Sequence, residues 1–75
     1  MKFKDVMGSY EFEEIEENFY RLMQEEFSIE VYRLPKGYLM RIEEWSRYER
    51  SKVKYAKFDN LKALNIALVD IIEEF

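Results

Sequence analysis

From Asp59 to Phe75, apolar residues recur at spacings of three and four. Leu61, Leu64, Leu68, Ile71, Ile72 and Phe75 therefore form one broad stripe on a predicted helix. Asp59 is the expected N-cap, its carboxylate able to accept from free N–H groups of the first turn, and Phe58 can staple back onto that turn. A helix of this length is marginal alone in water and needs a second layer to cover its stripe. The same spacing joins Phe12, Ile15, Phe19, Leu22 and Met23, which predicts a long helix from about Tyr10 or Glu11 to Glu26. Its opposite face carries Glu13, Glu14, Glu17, Arg21 and Glu25. Acids in its first turns suit the positive end of the helix dipole, and Glu17 with Arg21 makes an i, i+4 pair. Ahead of it, Phe3, Val6 and Met7 read as one helical turn, ended by Gly8 and Ser9.

After Phe27 the period changes to two. Ile29 and Val31 alternate with Glu30 and Tyr32, which predicts a half-buried strand. Leu34-Pro35-Lys36-Gly37 reads as a turn, since proline fixes φ and glycine tolerates a positive one. A second strand follows from Tyr38 to about Trp45, with Met40 and Ile42 inward. Ser46 to Ser51 reads as a polar loop, and Lys52 to Phe58 as a third strand with Val53 and Tyr55 inward. Glu43 and Glu44 would then face lysines on that strand, which favours antiparallel pairing.

These elements predict a single α+β domain over residues 1–75. The expected architecture is a two-layer sandwich of α-β-β-β-α order, a three-stranded antiparallel sheet with both helices on one face. The other face is left to solvent. It is expected to display Tyr32, Arg41, Glu43, Trp45, Arg47, Lys52 and Lys54 as a partner-binding surface. On the back of the last helix, Ile66 and Val69 fall away from the main stripe and are candidates for self-association in a symmetric homodimer. The α-β-β-β-α order is similar to that of double-stranded-RNA-binding domains. Those domains hold phosphates with lysines leading into the second helix. Here that stretch reads Phe58-Asp59-Asn60-Leu61-Lys62, with an acid in the phosphate position, so none of their binding residues is carried over.

Composition narrows the chemistry. Hydrophobic residues at 48% and aromatics at 17% are enough for a folded core despite 37% charged residues. There is no cysteine and no histidine, which removes disulfides, thiolate chemistry, the commonest general base and the commonest metal ligand together. The first residues, Met1 to Met7, contain no long apolar run, so neither a signal peptide nor a spanning helix is expected and a cytoplasmic setting is the simplest. The net charge of -4 is segregated: residues 1–27 sum to -5, residues 28–62 to +4 and the remaining residues to -3.

Two function classes follow. Bases interleaved with aromatics on the open sheet face, Arg41, Arg47, Arg50, Lys52 and Lys54, would suit single-stranded nucleic acid, with rings under bases and cations on phosphates. Segregated charge with spare aromatic and apolar surface suits protein–protein contact, and this is the preferred expectation: a regulator or inhibitor of a larger partner. The acidic helix face of Glu13, Glu14 and Glu17 would serve such a role as a phosphate mimic. In size and charge this looks like the small acidic anti-restriction and anti-CRISPR proteins of phages and other mobile elements. A carboxylate metal site on that helix lacks facing ligands. No Gly-rich phosphate loop or nucleophile motif is present, and no cofactor or catalytic residue is assigned.

Overall fold

Along β3 (Phe27–Leu34), Phe27, Ile29 and Val31 are buried on one side, while on the other Glu30 and Tyr32 are half-buried and only the small Ser28 is enclosed. This strand is the centre of the sheet in the computed structural model, which describes residues 1–45 and 50–74. Arg47, expected on the open face, and Phe75, expected at the end of the last stripe, lie outside the described residues. The element order is α1 (Phe3–Ser9), β1 (Glu13–Glu16), β2 (Phe19–Met23), β3, β4 (Gly37–Glu44), β5 (Lys52–Phe58) and α2 (Leu61–Glu74). The strands form one antiparallel five-stranded meander in the order β1-β2-β3-β4-β5.

The three-stranded sheet is thus corrected to five strands, and with it goes the α-β-β-β-α order. The long helix expected to end at Glu26 is a hairpin. Its apolar residues fit a helical stripe, yet Tyr20 and Leu22 also alternate with Phe19, Arg21 and Met23, and aromatic residues pack well on a pleated surface. Pairing with β3 decides the matter, because Tyr20 lies opposite Val31 and Leu22 opposite Ile29, extending the buried layer by one strand. Asn18 at φ 65° makes the tight turn before β2, a left-handed conformation that asparagine tolerates better than most residues. Helix propensity is a weak preference that such packing overrides.

Both helices cover the same side. Phe3 of α1 packs edge-on to Tyr20 at 5.2 Å and against Tyr38 at 5.1 Å, and α2 lies over β4 and β5. Met7, Ile29, Val31, Met40, Leu64 and Leu68 are the fully buried centre of one cluster. The expected stripe of α2 is present: Leu64 and Leu68 are buried, and Leu61, Ile71 and Ile72 pack at its margin. Its N-cap is one residue later than expected. Asn60, not Asp59, accepts from the Ala63 N–H through Oδ1 at 2.8 Å. No helix among the described residues is long and apolar enough to cross a membrane.

α1 ends in a reciprocal pair of hydrogen bonds, from Phe12 N–H to the Met7 carbonyl at 3.0 Å and from Glu11 N–H to the Gly8 carbonyl at 3.1 Å. This is a Schellman cap, with Phe12 and Met7 both in the core beneath it. The residue it holds in the left-handed region is Glu11, at φ 62°, where glycine is the usual occupant. Glu11→Gly should therefore stabilise the protein by about 1 kcal/mol, measured by denaturant unfolding. At the β3–β4 turn the demand is absolute. Gly37 has φ 114°, and a Cβ there would lie 2.4 Å from the Phe58 carbonyl oxygen. Gly37→Ala should destabilise by about 2 kcal/mol or more in the same measurement.

Candidate functional site

The side of the sheet away from the helices is uncovered among the described residues. Directly opposed residues share a face, so the register defines three rows across it. Phe19, Tyr32, Leu39 and Lys57 form the first, Arg21, Glu30, Arg41 and Tyr55 the second, and Met23, Ser28, Glu43 and Val53 the third. The Phe19 and Tyr32 rings stack at 4.4 Å with 9° between their planes. Tyr55 is 66% exposed, Met23 59% and Val53 39%.

A charged network runs through the middle row. Arg41 donates to Glu30 Oε1 at 2.8 Å and reaches Glu43 Oε1 at 3.5 Å, while the Tyr32 hydroxyl donates to Glu30 Oε2 at 2.9 Å. Both oxygens of Glu30 are therefore engaged. The Tyr55 hydroxyl beside the guanidinium raises the Arg41 pKa most; desolvation, the next largest effect, opposes it, and Glu43 and Glu30 raise it further. Tyr32 is raised too, first by burial and then by its bond to Glu30. On this face Arg21, Arg41 and Lys57 stand against Glu13, Glu16, Glu30 and Glu43, so opposite charges nearly balance, with one acid in excess.

Tyr32, Arg41 and Glu43 lie on the open face as expected. Lys52 and Lys54 do not, and this is a correction: β5 is turned over relative to the expected orientation. Ala56 pairs with the buried Met40 and Phe58 with Tyr38, which puts Lys52 and Lys54 on the helix side and Val53 and Tyr55 outside. Glu44 does face Lys52 across the pair. Trp45 sits just past β4, where its Nε1 donates to the Glu25 carbonyl at 2.6 Å and anchors the β2–β3 turn.

The expected acidic helix face is likewise corrected. Glu13, opposite Arg21, points to the open side, whereas Glu14 points to the helix side and accepts from the Tyr20 hydroxyl at 2.8 Å. Glu17 is in the exposed turn between β1 and β2. The three carboxylates do not share one face. On α2, Ile66 is 55% exposed at the outward pole, and Val69, three residues on, is half-buried on the flank beside it. Phe19, Arg21, Met23, Leu39, Val53, Tyr55 and Lys57 are the face residues that sequence reasoning missed. The strand alternation of Phe19, Arg21 and Met23 against Tyr20 and Leu22 was the available signal.

Depressions also lie elsewhere. One, of about 510 Å³, is open between the start of α1 and the β1–β2 turn and mixes Lys4 and Arg33 with Glu14 and Glu17. Another, of about 420 Å³, lies between the end of α1 and the end of α2 and is lined mainly by Tyr10, Leu22, Phe27 and Ile72. Among the described residues no group of three or more carboxylates could hold a metal ion. In the first depression, burial raises the Tyr20 pKa and the bond to Glu14 raises it further. A phenol held protonated is a hydrogen-bond donor there and a poor base.

The tyrosine shifts carry a pH dependence. Tyr20 and Tyr32 both resist ionisation in the folded protein relative to their ordinary value of 10.0. Above that pH the unfolded chain loses protons that the folded one keeps, so folding stability is full below about pH 10 and declines above it. Tyr20→Phe should flatten that alkaline decline, read from urea midpoints between pH 8 and 11. A decline as steep as in the wild type would remove Tyr20 as its source.

Comparison of the chain with protein-family models, curated proteins and solved structures returned no match, so the functional reading rests on this geometry.

Proposed function

We propose that the protein is a non-enzymatic binding protein that acts by protein–protein contact through the open sheet face, as a regulator or inhibitor of a larger partner. The observation that carries this reading is the charge state of that face. Arg41, its central cation, is already held by Glu30 and Glu43. A phosphate chain needs cations that gain by pairing with it, and here the gain would have to exceed the loss of two carboxylate partners. The lysines meant to serve phosphates, Lys52 and Lys54, are on the other side of the sheet.

What the face does offer is a mixture of Tyr, Phe, Met and Arg around a polar network in which Arg41 is already offset by Glu30 and Glu43. Tyr, Phe, Met and Arg are enriched in the buried centres of protein interfaces, and charge balanced within one surface lowers the cost of desolvating it. The phosphate-mimic version of the reading has less support, because Glu13 and Glu14 point to opposite sides. The cysteine-free composition is in keeping with a reducing, cytoplasmic setting.

The nucleic-acid alternative retains one favourable observation, the stacked Phe19–Tyr32 pair next to exposed Tyr55, which could serve as a base-stacking platform. Anisotropy titrations with single- and double-stranded DNA and RNA, at low and moderate salt, separate the two. Weak or absent binding is expected, and tight salt-sensitive binding would overturn the preferred reading. Affinity capture from cells then compares wild type with Met23→Glu and Leu39→Glu. At least tenfold less partner should be retained by each variant, with unchanged circular dichroism. Equal recovery would remove the open face as the contact surface.

A further inference from the structure

The two edges of the sheet differ. β1 is four residues long, interrupted by a register shift between Glu14 and Glu16, and lined by Glu13, Glu14 and Glu16. Short length, a bulge and charge are the usual protections of an edge against further pairing. β5 is seven residues long and pairs with β4 without a break from Lys52 to Phe58. Its outer side is bordered by no other strand among the described residues. We propose that β5 is the pairing edge of a symmetric homodimer, in which two copies join antiparallel at Tyr55 to make one continuous sheet. The inference concerns a different surface from the open face and does not depend on it.

The lysines of β5 select the register. A two-fold axis perpendicular to the sheet pairs some residue with its own copy, and only an axis at Tyr55 pairs all seven residues of the strand. It sets Lys52 opposite Phe58, Val53 opposite Lys57 and Lys54 opposite Ala56, so no lysine meets a lysine. Moving the axis to Lys54 opposes that residue to itself, and moving it to Val53 opposes Lys52 to Lys54, both destabilising. An axis at Ala56 shortens the pairing to five residues. The lysines that discourage other edge contacts are thus compatible with this one.

Charge and packing agree with it. Lys57 would cross Val53 of the second copy toward that copy's Glu43, which lies beside Val53 on β4. Above the sheet, Asn65 fixes which flank of α2 faces α1, by accepting from the Tyr10 hydroxyl at 2.7 Å. The opposite flank, toward the β5 edge, carries Ala63, Ala67 and Ile71, all only half-buried within one copy, with the exposed Asp70 and Glu74 on the same stripe. Joined at β5, the two α2 helices would lie side by side along these alanines, which permit close approach.

Sedimentation equilibrium of the wild type should give twice the 9.3 kDa chain mass. The chain has no cysteine, so a single one is a clean distance probe. Opposed Cα atoms in an antiparallel pair are about 4.5–5.5 Å apart, within disulfide range. Tyr55→Cys should therefore form a covalent dimer under mild oxidation. Val53→Cys, about 13 Å from its copy in this register, should not. Ala67→Glu should give a monomer with unchanged circular dichroism. A wild type that stays monomeric at about 100 µM, or a Tyr55→Cys chain that cross-links no faster than Val53→Cys, would overturn the proposal.

Discussion

Burial of Ile29, Val31 and Met40 in one cluster with Met7, Leu64 and Leu68 governs the rest of the molecule. Strands have a period of two, so once those three residues face the helices every neighbour is assigned a side, and Glu30, Tyr32, Leu39 and Arg41 must face away. The layer is small. Each fully buried aliphatic side chain contributes on the order of 1.5–3 kcal/mol, and among the described residues Met7, Ile29, Val31, Met40, Leu64 and Leu68 are the largest that are completely enclosed, so the fold depends on each of them heavily. Helix packing on one side alone leaves the other face of the sheet uncovered among the described residues.

Much of this was legible in the sequence. The stripe of α2, the alternation of β3, the Pro35–Gly37 turn and the inward Met40 and Ile42 all follow from spacing and turn chemistry, and all are present. So, among the described residues, is a sheet with one uncovered face. The hairpin of β1 and β2 was not legible in the same way, because Phe12, Ile15, Phe19 and Leu22 satisfy a helical stripe among strong helix formers. What distinguishes the alternatives is long-range: Tyr20 and Leu22 gain a place beside Val31 and Ile29 only as a strand.

β5 illustrates a different limit. Judged by size, Val53 and Tyr55 are its apolar pair and should be buried. The register with β4 instead assigns the inside to Ala56 and Phe58. A small residue opposite Met40 lets α2 approach the sheet, and the larger Tyr55 is left outside beside Arg41. Local hydrophobicity ranks residues, whereas the thickness available under a helix decides which of them fits. The candidate surface changed membership for this reason, gaining Val53, Tyr55 and Lys57 and losing Lys52 and Lys54.

Trp45 was expected to display its ring to partners, and the protein instead uses it as a tie between the end of β4 and the carbonyl of Glu25. It is the sole indole in the chain. Ultraviolet emission excited through tryptophan is therefore a local optical signal from the far corner of the β2–β3 hairpin. It senses the opening of that corner separately from the melting of the helices, which far-ultraviolet ellipticity follows.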